Sequence, residues 1–167
     1  MQYAPFYEQF RELALKETRS FTVFDGHPDL PADEYGLVEL YCDDEGCDCQ
    51  RVMFEVLSRK RNKSVAYIAY GWASAGFYRK WTKSGDPDIA LHMRGPVLNE
   101  LSPQSELAAA LLTVVRDTVL KDAAYVERLK RHYRLFKEKV DPKHFPKIDS
   151  VKRVAVEKPK SKKRKRN

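Results

Sequence analysis

The sequence predicts an α+β domain: a small antiparallel sheet of three or more strands, with an N-terminal helix, a C-terminal helical half and a disordered basic tail. Three observations predict it. "RVMFEVLS" and "SVAYIAYG" alternate with period two in β-branched and aromatic residues. Three other segments repeat apolar residues every three or four positions, as one face of a helix requires. From Lys158 the composition collapses to "KPKSKKRKRN", which has nothing to bury.

Taken in order, "APFYEQFRELALKE" sets Phe6, Phe10 and Leu13 or Ala14 on one face, and Pro5 suits a first helical position, so a helix is predicted from about Pro5 to Glu17. "DGHPDLPADEYG" carries two prolines and two glycines and reads as a loop. "LVELY" is a short strand leading into "CDDEGCDC". The two alternating segments follow as strands joined across "RKRNK", so the cysteines fall in the turn between the first two strands. "WASAGFYRKW" reads as a short helix, and its aromatics, with Tyr67 and Tyr70, as core. In "LSPQSELAAALLTVVRDTVL", Ser102 is the expected cap and Pro103 the first helical residue. A last helix, capped by Asp122, lines up Tyr125, Leu129, His132 or Tyr133, and Phe136, and ends at Pro142 and Pro146. His132, on the apolar side, reads as a packed histidine. Residues 1–150 are expected to form one domain and 151–167 a low-complexity tail.

A chain of 167 residues is long enough for a core that needs no staple. Its longest apolar stretch, Ala108 to Val115 with Thr113 inside it, is far short of the roughly 20 residues that span a bilayer, and no apolar signal segment follows Met1. A cytoplasmic protein without a membrane span is therefore expected.

The net charge of +7 belongs to the tail. Lys158, Lys160, Lys162, Lys163, Arg164, Lys165 and Arg166 are seven cations without an acid among them, and the rest of the chain holds 24 basic and 24 acidic residues. Such a run suits a polyphosphate: binding would release counterions and weaken steeply with salt. With no aromatic residue to stack on bases, it would be indifferent to sequence. Structured RNA, such as ribosomal RNA, or a ribonucleoprotein is the expected partner. Lys130, Arg134 and Lys137, at i, i+4, i+7 of the last helix, are placed on the same surface, and Arg59, Lys60, Arg61 and Lys63 crown the hairpin. Conversely, nine acids and no Lys or Arg occur between Ser20 and Gln50; the alternative reading is an adaptor that docks a protein on the acidic surface over residues 25–48.

All three cysteines, Cys42, Cys47 and Cys49, lie within eight residues of this acidic part. Thiolates close to one another at a turn are the donor set of structural zinc sites, which hold four ligands. Zinc is the expected cofactor, with His27 as fourth ligand and His92 and Asp48 as second choices. The neighbouring carboxylates are expected to raise the thiol pKa values, which disfavours a reactive cysteine and favours a cation. Two alternatives stay open: three reduced, uninvolved thiols, or a metal-dependent or thiol-redox enzyme centred on the turn, with Asp43, Asp44 or Asp48 as base. Nothing else in the sequence completes a catalytic site, so the first reading is non-enzymatic.

"HPDLPADEYGLVELYCDDEGCDCQRVMFEV", "PQSELAAALLTVV" and "YVERLKRHYRLFKE" resemble a family of uncharacterised bacterial proteins with a YC-x4-CDC motif, some of which also carry the zinc-binding SEC-C module. The resemblance runs from His27 to Glu138 and is most specific from Tyr41 to Val52. It implies a bacterial, metal-binding protein of unassigned activity. SEC-C itself requires a Cys-Cys or Cys-His pair about eight residues after its C-x-C; Ser58 and Arg59 stand there, so the module and its partners do not carry over.

Overall fold

The computed structural model describes residues 2–147; the predicted tail lies outside them. Six strands form one antiparallel sheet: β1 (Tyr3–Pro5), β2 (Arg19–Val23), β3 (Asp33–Cys42), β4 (Arg51–Ser58), β5 (Lys63–Gly71) and β6 (Val97–Leu98). The helices are α1 (Phe6–Gln9), α2 (Arg11–Glu17), α3 (Ala75–Thr82), α4 (Pro87–Arg94), α5 (Ala108–Asp117) and α6 (Ala123–Val140). The α+β class is as the sequence indicates.

β3 is the organising strand. The β1 and β2 strands pair with different halves of one edge of it, through Tyr3↔Cys42 and Arg19↔Leu37, and β4 lies along the other edge. Paired residues share a face, so Tyr35, Leu37 and Tyr41 of β3 join Phe54 and Val56 of β4 and Ile68 of β5 on one side. All six are fully buried. The amphipathic α6 covers that side: Tyr41 packs on Phe136 and Tyr133, and Phe54 on Tyr125. The second face carries a smaller core in which Tyr78 and Ala90 of α3 and α4 are buried.

Four elements differ from expectation. The predicted Pro5–Glu17 helix is two short helices, because Phe10 leaves helical geometry (φ −137°, ψ 56°) and stacks on Phe6. The strand read as "LVELY" is ten residues long and gains a partner, β2, from a segment with no strand assigned. Ser102 caps nothing: α5 begins at Ala108, and residues before it extend the sheet edge. Asn99 N–H and Ser105 N–H donate to Tyr67 O and Val65 O, and the Gln104 side-chain amide both accepts from Tyr67 N–H and donates to Tyr67 O, standing in for a strand residue. Helix α4, capped by Asp86 with Pro87 at its start, was not expected at all.

His132 is a packed histidine, as read. It is 1% exposed, stacks on Phe6 at 4.4 Å between ring centres, and bridges two carboxylates: Nδ1 lies 2.7 Å from Glu39 Oε2 and Nε2 lies 2.9 Å from Glu17 Oε2.

Candidate metal centre

β3 ends at Cys42 and β4 starts at Arg51, and the turn between them brings three sulfurs together. Two residues with positive φ fold it, Gly46 (68°) and Gln50 (51°), and Cys47 N–H donates to Asp44 O. The Sγ atoms of Cys42, Cys47 and Cys49 all lie within 4.8 Å of one another. Tetrahedral zinc with bonds of about 2.3 Å separates its sulfurs by about 3.8 Å, so a small inward movement closes the site. Cys42 and Cys49 are fully buried, and no disulfide links the three.

The backbone N–H groups of Asp44 and Arg51 favour the thiolate forms of Cys42 and Cys49, each from two residues downstream. Cys42 falls to about 6, chiefly because the Cys49 thiol donates to it; burial works the other way, and the Asp44 amide and the Cys47 thiol offset part of that cost. Cys47 rises to about 11 through burial and the neighbouring Cys42 thiolate. Cys49 also rises, because its proton is shared with Cys42 and it is buried. The expected uniform rise caused by carboxylates is therefore corrected: one thiol is depressed, and the other two are raised mainly by burial and by each other. A divalent cation would replace the two protons that hold this cluster together.

Lys137 overturns one assignment. Its spacing from Lys130 and Arg134 predicts a phosphate-binding surface, yet it is 0% exposed. Its Nζ donates to Cys42 O and Asp44 O, both at 3.1 Å, and sits 5.0 Å over the Phe145 ring. Its charge favours the thiolate of Cys47. A tris-thiolate site with a divalent ion carries one net negative charge, which this ammonium opposes. Of its former companions, Lys130 is half-buried and Arg134 exposed, and both are paired within the helix, Lys130 with Glu127 at 2.6 Å and Arg134 with Glu138 at 2.8 Å.

The end of α6 also grips the turn. Asp141, 5% exposed, accepts Gly46 N–H through Oδ2 at 2.7 Å and His144 Nδ1 through Oδ1 at 2.8 Å. The Gly46 amide is the main reason the Asp141 carboxyl is held below its usual value. His144 Nε2 lies 3.7 Å from the point a Cβ on Gly46 would occupy. Tyr133 closes the other side, its hydroxyl donating to Asp48 Oδ1 at 2.9 Å.

The structure does not bring His27 to the sulfurs. It sits in the β2–β3 loop, where its Nδ1 accepts the N–H groups of Asp29 and Leu30, at the far end of a strand about 30 Å long. His92 is on α4, and Asp48 is occupied by Tyr133 and Gln50. Among the described residues, no fourth donor falls within the 4.8 Å group. The acidic stretch is not one surface either: Glu39 is buried against His132, Asp33 is buried under Ser58 and Lys60, and Glu34 pairs with Arg59.

No family model matches the chain, and no curated protein or solved structure does so. Among the described residues, no helix is long and apolar enough to cross a membrane.

Proposed function

We propose that this is a non-enzymatic domain whose β3–β4 turn is fixed by zinc and whose basic C-terminal segment docks it on nucleic acid. The observation that carries the metal half is the convergence of three sulfurs within 4.8 Å. Three thiolates suit a soft ion, and zinc asks for no redox change and tolerates a four-ligand site assembled at a turn. His144 replaces His27 as the proposed fourth ligand: a carboxylate-held histidine with its second nitrogen over the turn is the usual outer arrangement of a zinc ligand. The metal would tie the sheet's end to the end of α6.

The nucleic-acid half rests on the sequence: seven cations in nine residues beside a body of balanced charge. RNA is the proposed partner, and the likeness to the bacterial YC-x4-CDC family is consistent with such a domain. Zinc content and RNA affinity of the full chain, of Cys47→Ser and of a chain lacking residues 158–167 test the two halves separately. Zinc lost from Cys47→Ser with RNA binding kept, and RNA binding lost from the truncation with zinc kept, are the expected results. If all seven cations engage, affinity for a duplex falls with a log–log salt slope of about −6. Unchanged RNA binding by the truncation at physiological salt refutes the second half.

A further inference from the structure

On the sheet face opposite α6, a cavity of about 310 Å³ opens between β4, β5 and the α4–β6 segment. Met53, Ala69, Val97 and Leu98 give it apolar walls, and His92 and Asn99 stand among its lining residues. Arg51 also lines it, although only 5% exposed. A buried guanidinium is expensive unless an anion meets it. None does among the described residues: no carboxylate forms an ion pair with Arg51, and no cysteine sulfur accepts from its side chain. Among the described residues, its hydrogen-bond partner is the weak acceptor Met93 Sδ, 3.4 Å from Nη1, and its Nε is buried with no partner. The other buried cation near the turn, Lys137, is fully engaged by carbonyls, so the contrast is particular to Arg51.

We propose that this cavity binds a small carboxylic acid with a short apolar body, its carboxylate on Arg51 and its body against Met53 and Val97. Arginine offers a carboxylate two parallel N–H donors, and a pocket of this size with mostly apolar walls and one charged group is the usual form of a small-ligand site. The carboxylate supplies the missing anion, and the walls exclude water from the pair, which strengthens it. The inference stands apart from the metal reading, because the guanidinium makes no hydrogen bond to any of the three sulfurs.

The test uses full-length protein with ¹³C-labelled methionine methyl groups, titrated with acetate, butyrate and benzoate, and in parallel with butanol and inorganic phosphate. Saturable shifts of the Met53 and Met93 methyls are expected with butyrate or benzoate, weaker ones with acetate, and none with butanol. Arg51→Met is expected to raise the dissociation constant at least about tenfold. Val97→Phe, which narrows the cavity without touching Arg51, is expected to block binding while the remaining spectrum stays that of the folded protein. The proposal is overturned if none of the three acids shifts these methyls, if phosphate or butanol binds as well as they do, or if Val97→Phe binds them unchanged.

Discussion

Lys137→Met is the substitution that most sharply separates a metal centre from a chance meeting of thiols. Methionine is one atom shorter but close in volume, and it removes one buried charge. Two hydrogen bonds from an ammonium, at about 1.5–3 kcal/mol each, bound the direct loss at about 3–6 kcal/mol. Relief from burying the ammonium returns several kcal/mol, so the net loss in fold stability is about 2 kcal/mol. The effect on metal is larger in proportion. Nζ touches the carbonyl of Cys42 itself, which puts it on the order of 6 Å from the ion. At an effective dielectric near 20, one charge acting on the net negative site at that range contributes about 3 kcal/mol, or roughly a hundredfold in zinc affinity. Competition against a chromophoric chelator reads that affinity, and urea unfolding reads the stability. Lys130→Met, on the same helix but paired with Glu127 at the surface, serves as control and should leave zinc affinity within about threefold of the native value. Zinc affinity of Lys137→Met equal to that of the control would refute the electrostatic reasoning.

Three further perturbations follow from the same packing. Among the described residues, His132→Phe leaves the buried Glu39 with the Tyr41 hydroxyl alone, and calorimetry or urea unfolding should show a loss of about 3 kcal/mol; a change below about 1 kcal/mol would mean the bridge is idle. In Gly71→Ala the new methyl would overlap the Tyr78 hydroxyl and lie 2.9 Å from Met93 O, so that Tyr78 must release Gln50 O at the end of the cysteine turn. A loss of about 3 kcal/mol, some 6–12 °C in melting temperature, is expected. Asp33 carries the pH dependence. Burial works to raise its carboxyl, but the Ser58 hydroxyl and the N–H groups of Lys60 and Glu34 outweigh it and hold the pKa below the usual 3.8. Its stabilisation is therefore complete above 3.8 and disappears as pH falls through the lower folded value, so the stability gap between native protein and Asp33→Asn should close below pH 3.8 and stay constant above about pH 5. A gap independent of pH would contradict the assignment.

The β4–β5 hairpin and α6 were legible because their patterns are local: alternation in "RVMFEVLS" and "SVAYIAYG", and a cap plus apolar stripe from Asp122 to Phe136. β3 was only half legible: Asp33–Gly36 belongs to a stretch that its prolines and glycines mark as a loop, and Glu39, in the core row of the strand, is met by His132, 93 residues away. Pattern reading takes such a glutamate for a surface residue. The same blindness explains Lys137. Its spacing from Lys130 and Arg134 suggested a basic stripe, but the helix turns that last position inward, where carbonyls 95 and 93 residues earlier in the chain wait for it. The sulfurs of the site were visible because three cysteines in eight residues are hard to attribute to packing. Asp141 and His144 were not visible, because neither has a partner near it in sequence that would mark it as part of a cysteine turn. His27 is near the cysteines along the chain, but the length of β3 carries it to the other end of the strand.

The central claim is that Cys42, Cys47 and Cys49 hold one metal ion. X-ray absorption at the zinc edge, on full-length protein purified without chelator, measures this directly. One equivalent of zinc with three sulfur neighbours at about 2.3 Å is the expected result. Less than a tenth of an equivalent in the native chain, or the same zinc content after all three cysteines are replaced by serine, would contradict it.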